Sequence, residues 1–193
     1  MIIEQQVYNG DLIHDRFAYK YFKGEVSPVG NVVAFRAPMY VSDNLIDLED
    51  SLNQDNINSE DAINFCWEIP YMCDKGAVAF QRLFNTCIAN LLSRMLEKNI
   101  AVRGDDLLLQ EEYIGNDEKV RKQGKISVSI THSKDGTALG HTGINIKAGP
   151  KAPGHAGSTN LTDEQVEQLM YEVVGYFNEE IGDQYIATTK ISV

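Results

Sequence analysis

Positive charge is scarce in this chain: 17 lysines and arginines face 28 aspartates and glutamates among 193 residues, a formal net charge of −11. A field of that sign repels phosphate backbones and anionic lipid, and no polybasic run offsets it, which predicts neither bulk nucleic acid nor a membrane as partner. Long apolar runs are missing too. No stretch approaches the ~20 residues of a membrane span, and the opening Met1-Ile2-Ile3-Glu4-Gln5-Gln6 lacks the parts of a signal peptide, which predicts a cytoplasmic protein. Cysteine is limited to Cys66, Cys73 and Cys87, an odd number with no C-x-x-C spacing and apolar neighbours. That pattern predicts buried free thiols without a disulfide framework or zinc knuckle, with Cys87 inert on an apolar helix face. G-x-G-x-x-G, Walker, G-x-S-x-G and H-E-x-x-H motifs are all absent, which removes the common phosphate cradle, nucleophile elbow and zinc helix.

What remains is ordinary globular material. Hydrophobic residues make up 43% of the chain, enough for a core, and the length suits one domain over 1–193. Residues 2–8 read as a strand turning at Tyr8-Asn9-Gly10-Asp11 into a hairpin; His14–Phe22 reads as a short helix and Asn31–Tyr40 as a strand. Asp43–Glu60 is polar and reads as a surface connection. Ala62–Pro70 alternates as a half-buried strand with Trp67 facing the core, and Phe80–Leu96 carries a wide apolar stripe that predicts a core helix ending near Lys98-Asn99. A strand from Ala101, an extended Leu107–Tyr113 with a hairpin turn between Ile114 and Gly124, a strand at Lys125–Thr131, and a hairpin at Asp135-Gly136 into Ala138–Ile146 follow. Lys147–Asn160 reads as a ligand-side loop, Thr162 and Gln165 as a capping box opening the last helix, and the chain closes in a strand or tail to Val193. Antiparallel pairs beside long amphipathic helices predict an α+β fold, a mostly antiparallel sheet packed by helices.

Two polar segments draw attention. Arg103-Gly104-Asp105-Asp106 follows a short strand, where glycine lets a ligand approach and carboxylates can hold a metal or a hydroxyl; taken alone it reads first as an acidic turn. Lys125 precedes Ile126, Val128 and Ile130 in alternation with Ser127, Ser129 and Thr131, which predicts a lysine and three hydroxyls on one face; taken alone it reads first as an edge lysine. His132 and His141 fall on two arms of one hairpin as diagonal neighbours, a pair able to ligate a metal with a carboxylate, and Asp105, Asp106 and His141 give a metal-dependent hydrolase as the weakest alternative.

Together, Arg103-Gly104-Asp105-Asp106-Leu107, Gly124-Lys125-Ile126-Ser127 and Gly140-His141-Thr142-Gly143-Ile144-Asn145-Ile146 resemble, in order and spacing, the core of biotin and lipoate protein ligases, themselves similar to class II synthetases. Over most of its length the chain also resembles domain-of-unknown-function family three-six-six, through Val33-Ala34-Phe35-Arg36-Ala37-Pro38-Met39, Ile46-Asp47-Leu48-Glu49-Asp50, Gln81-Arg82-Leu83 and Arg103-Gly104-Asp105-Asp106. The resemblance implies a ligase-like fold and a small carboxylate or acyl ligand, with ATP and Mg as cofactors, adenylation or acyl transfer as the reaction, and room for a homodimer. It implies Lys125 as the catalytic residue, with Arg36, Arg103, Asp105, Asp106, Ser127, Ser129, His141, Gly143 and Asn145 binding ligand and no resident metal. Departures from the ligase pattern are Asp105 for the usual Asn, Val128 for a glycine, and no G-R-G-R or R-R-x-S-G-G-G segment, whose place falls to Arg36-Ala37-Pro38-Met39. A non-catalytic sensor with the same pocket is the alternative from another class.

Overall fold

A run rich in isoleucine, phenylalanine and tryptophan forms the spine of the molecule. The computed structural model describes the chain outside residues 6, 15, 43–50, 53–55, 116–117 and 191–193, and outside the side chains of 111–122. In order the elements are a 3-10 turn (Asp11–Ile13), α1 (Phe17–Phe22), β1 (Asn31–Arg36), β2 (Met39–Val41), β3 (Ile57–Pro70), α2 (Asp74–Leu96), β4 (Ile100–Arg103), β5 (Asp106–Gly115), β6 (Glu118–Lys125), β7 (Ser127–Lys134), β8 (Thr137–Ala148) and α3 (Asp163–Thr188). One antiparallel sheet runs β1-β3-β8-β7 with β2 also on β3; a second runs β4-β5-β6. The α+β class with antiparallel sheets and long helices is the architecture the sequence predicts.

Alternation along β3 serves two cores rather than one. Ile63, Phe65, Trp67 and Ile69 pack under α2 and α3, where Trp67 meets Phe80 edge-on at 5.1 Å and Phe80 meets Phe177 at 5.6 Å. Ala62 and Cys66 face the opposite side, where Tyr8, Leu12 and Phe17 from the N-terminal segment cover the sheet together with Met39 and Leu139. The strand is therefore buried on both faces, not half-buried. Wrapping by the N-terminal segment also replaces the predicted opening hairpin: among the described residues it touches the sheet through single parallel bridges, Ile2 to Ala34 and Tyr8 to Met39.

Other differences have local causes. Ala37-Pro38 splits the predicted Asn31–Tyr40 strand, because proline has no N–H to give a ladder. Of the predicted 43–60 connection, Ile57–Glu60 belongs to β3, while 43–50 and 53–55 lie outside the described residues, as do the 116–117 turn and the tail at 191–193. α2 starts at Asp74, whose acidic side chain suits a helix N-terminus and also accepts a hydrogen bond from the Ser133 amide at 3.0 Å. It ends with Glu97 in the left-handed region, φ 52°, ahead of the predicted Lys98-Asn99. Asn99 instead donates to the Gln110 side chain at 2.6 Å. α3 opens with the predicted box: the Gln165 amide donates to Thr162 Oγ1 and the Thr162 amide to Gln165 Oε1. Of the three thiols, Cys66 is buried and Cys87 half-buried, but Cys73 is exposed at the head of α2. Burial pushes the Cys87 thiol up to about 11, in keeping with an inert group. None of the described helices is long and apolar enough to cross a membrane.

Candidate functional site

The two sheets meet at one residue. Lys125 ends β6, Ser127 begins β7, and the fully buried Ile126 between them carries the chain from one sheet to the other. Its amide donates to the Leu107 carbonyl at 2.9 Å, and its carbonyl accepts from the Asn145 amide at 2.8 Å. The Ser127 hydroxyl accepts from the Leu107 amide at 2.8 Å. β5, β7 and β8 are thus tied together where the lysine emerges.

Residues 149–157 fold back over that junction. The Lys125 amide donates to the His155 carbonyl and the Gly157 amide to the Lys125 carbonyl, both at 2.8 Å; the Gly149 amide bonds the Asn58 carbonyl at 3.0 Å. The backbones of Gly124 and Gly157 cross so closely that a Cβ on either would lie 2.9–3.0 Å from the other's main chain. Only glycine fits both sides of such a crossing. Between loop and junction opens a small cleft of about 100 Å³, lined by Asn56, Ile57 and Asn58 from β3 and the residues before it, by Lys125, Ser127, Val128 and Asn145, and by Ala152, Pro153, His155 and Ala156.

Two polar groups in the cleft stand out. Lys125 Nζ lies 2.8 Å from Asp106 Oδ1, with both side chains about one-third exposed, so the cation is held at the mouth by a carboxylate from the start of β5. Asn145 is buried, and its Nδ2 donates to the Gly157 carbonyl at 3.3 Å. That carbonyl can only accept, which orients the amide and leaves Oδ1 without a hydrogen-bond partner among the described residues. A buried acceptor without a partner costs roughly 1–3 kcal/mol, a cost that a ligand N–H or O–H would offset. A cation and a buried unmet acceptor among the residues of one cleft, with apolar Ile57, Val128 and Pro153 also lining it, suit a small anionic compound with a nonpolar part and one donor.

The sequence matches the family described as "Domain of unknown function (DUF366)" over residues 1–192. The chain belongs to the DUF366 family. Its fold is shared with a "Protein of Unknown Function from Pyrococcus horikoshi" (TM-score 0.78, 22% identity, covering 100% of this chain and 97% of that one). It is also similar to biotin protein ligase from Aquifex aeolicus, solved with biotin and ATP (TM-score 0.52, 13% identity, 92% and 72% covered). A third likeness is to the bipartite lipoate protein ligase of Thermoplasma acidophilum (0.51, 12%, 89% and 82%). At these identities the likeness is one of fold, and it is the ligase-like fold the motifs imply. No curated protein matches the sequence.

In this DUF366 protein the predicted site residues divide into two sets. Lys125, Ser127 and Asn145 line the cleft, with Asp106 on the lysine. The others lie apart from it. Arg36 makes a two-pronged contact with Asp61, at 2.9 and 2.7 Å, and reaches Asp163 at the head of α3 at 2.6 Å, fastening helix to sheet. Arg103 is exposed at the end of β4, and Asp105 turns away from the cleft toward Arg82, 3.5 Å off. Gly143 sits in mid-β8 against Met39. Ser129 is part of a polar chain under α2, and Thr131 bonds the Leu139 carbonyl, so the lysine and three hydroxyls do not share a face: the chain leaves the second sheet after Lys125.

His141 is fully buried and stacked on Tyr8, with ring centroids 3.8 Å apart. Asn64 commits its Nδ2 to the Ala37 carbonyl, so its Oδ1 faces His141 Nε2 at 3.0 Å and that nitrogen carries the proton. Burial pushes the imidazole down to about 3. His132, its diagonal neighbour as predicted, meets the Ile13 carbonyl instead at 2.6 Å. Asp105, Asp106 and His141 therefore do not converge, and no three His, Cys, Asp or Glu side chains among the described residues are grouped as metal ligands. Sequence reasoning missed Asn58 and His155 of the cleft, and Gln81 and Asn85 behind it. The latter two stood in plain view as polar residues four apart inside the apolar stripe of α2.

Proposed function

We propose that this protein binds a small carboxylate or acyl compound in the cleft at Lys125 and activates it by adenylation or acyl transfer. The observation that carries this reading is the placement of the Lys125 cation and the unmet Asn145 acceptor in one cleft at the junction of the two sheets. A fold shared with ligases supports it, the Aquifex aeolicus protein having been solved with biotin and ATP.

Lys125 would hold the anionic end, exchanging part of its contact with Asp106 for the ligand, while Asn145 Oδ1 accepts from a donor on the same molecule. ATP as cofactor would supply the activation: a carboxylate oxygen bonds to the α-phosphorus and pyrophosphate leaves. Negative charge gathers between the two reactants, and a lysine already fixed by main-chain and ion-pair contacts stabilises it without reorganising. The donor set fits one anionic group, and Asp105 and Asp106, engaged with Arg82 and Lys125, serve to place it. Carboxylate-dependent exchange of pyrophosphate into ATP, run over a panel of small acids, tests the reaction; no exchange with any acid would remove it.

A binding module without chemistry has one observation in its favour: the sequence has no glycine-rich G-R-G-R or R-R-x-S-G-G-G segment to cradle an adenylate. Native mass spectrometry of the purified full chain separates the two. A retained metabolite with no exchange activity would favour binding; an adenylate or acyl adduct would favour catalysis.

A further inference from the structure

α2 packs against the sheet with an apolar stripe of Ala77, Phe80, Phe84, Ile88 and Leu92, yet Gln81 and Asn85 are buried in the same interface. Buried amides stabilise a core less than leucines of similar volume would, unless every polar atom is matched. Here the matching runs in one direction. Asn85 Nδ2 donates to the Asp105 carbonyl at 2.9 Å, and since a carbonyl only accepts, the amide orientation is fixed. Asn85 Oδ1 then accepts from Thr142 Oγ1 at 2.8 Å, which commits the threonine proton. At the 3.0 Å contact between Thr142 and Ser129 the serine is therefore the donor, sharing its proton with the His141 carbonyl at 3.2 Å, and its oxygen accepts from Gln81 Nε2 at 3.0 Å. The result is a head-to-tail chain, Gln81 to Ser129 to Thr142 to Asn85, ending on the Asp105 carbonyl. Hydrogen bonds aligned in this way polarise one another.

The chain ends on a backbone that needs holding. Gly104 is left-handed, φ 64°, in the turn between β4 and β5, and Asp106 immediately after the turn carries the carboxylate that meets Lys125. Asp105 is gripped twice, at its carbonyl by Asn85 and at its carboxylate by Arg82. With Asp105 turned toward α2, Asp106 is left to face the cleft. We infer that this buried chain is a positioning device: Thr142 and Asn85, with Ser129 and Gln81 behind them, set the turn so that Asp106 fixes Lys125 at the mouth of the cleft. The inference deepens the proposed function, resting on Lys125 as the ligand-holding group, but it is testable without any ligand.

The readout is the acetylation rate of Lys125 by acetic anhydride, followed on the full chain by peptide mass spectrometry with Lys147, paired to Glu60 elsewhere, as internal reference. Thr142→Val keeps the shape and removes the link; Lys125 is expected to react about two- to fivefold faster relative to Lys147, the range an ion pair of this exposure controls. Thr142→Ser restores the hydroxyl and should restore the wild-type ratio. Should Thr142→Val not fold, as judged by its melting curve, Gln81→Met breaks the chain at its far end and is expected to move the ratio the same way. A folded Thr142→Val, or Gln81→Met in its place, that keeps the wild-type ratio would overturn the inference, as would a Thr142→Ser that behaves like valine. Because the labelling involves neither carboxylate nor ATP, its failure would leave the proposed reaction standing, and a negative exchange assay would leave this result standing.

Discussion

At the scale of single residues, burial sorts the candidate groups more sharply than spacing can. Lys125 and His141 both follow glycine in glycine-containing motifs, yet one emerges at a cleft and the other is sealed between Tyr8 and Asn64. Folded His141 stays neutral until about pH 3, whereas the unfolded chain takes up that proton below about 6.5. The unfolded state binds more protons in that window, so this group makes the fold lose about 1.4 kcal/mol per pH unit as pH falls below about 6.5. His141→Gln can still meet Asn64 but takes up no proton. Denaturant unfolding between about pH 6.5 and 5, above most carboxylate titration, is expected to show a shallower acid slope for the variant. Equal slopes would show that His141 is not held neutral. Which histidine is buried was not legible from sequence, because the segment covering it comes from the N-terminus, far away in the chain.

Elements show where sequence patterns carry structure and where they stop. The stripe of α2 and the Thr162–Gln165 box were legible because each is set by residues three or four apart. Thr162→Ala, which removes the box, is expected to cost about 1 kcal/mol in chemical denaturation; a loss near zero would mean the α3 terminus is held by Arg36–Asp163 and packing alone. The two faces of β3 were not legible, since alternating large and small residues read the same whether the small side meets water or Tyr8 and Met39. The 149–157 loop is legible as glycine- and proline-rich but not as a partner of Lys125, because the Gly124–Gly157 crossing joins residues 33 apart. Adding a methyl there forces the backbones apart. Gly157→Ala is expected to destabilise the protein by about 1–3 kcal/mol and to speed proteolytic cleavage within 149–157. Cleavage at the wild-type rate would show that the loop is not anchored by this contact.

For the whole molecule, the scarcity of cations gives the few present their meaning. Against a net charge of −11, Lys125 is a local positive feature in an acidic field, and that field slows the approach of any anionic ligand except where a cation faces the cleft. The fold class was legible from the ordered motifs at 103–107, 124–127 and 140–146, and the family from 33–39, 81–83 and 103–106 among others, because each is a contiguous run of residues; the likeness to ligases of 12–13% identity extends over about nine-tenths of the chain. The composition of the cleft was legible only in part: Asp105 and His141 belong to the same motifs as its lining, and Arg36 and Ser129 lie near motifs in sequence, yet these four make their contacts with Arg82, Asn64, Asp61 and Gln81. The central claim, that the cleft at Lys125 activates a small carboxylate, is tested most directly by carboxylate-dependent ATP–pyrophosphate exchange in the wild type and in Lys125→Ala. The account predicts exchange with at least one acid, falling by about a hundredfold or more in the variant while its melting temperature stays near that of the wild type. Exchange that survives unchanged in Lys125→Ala would contradict it.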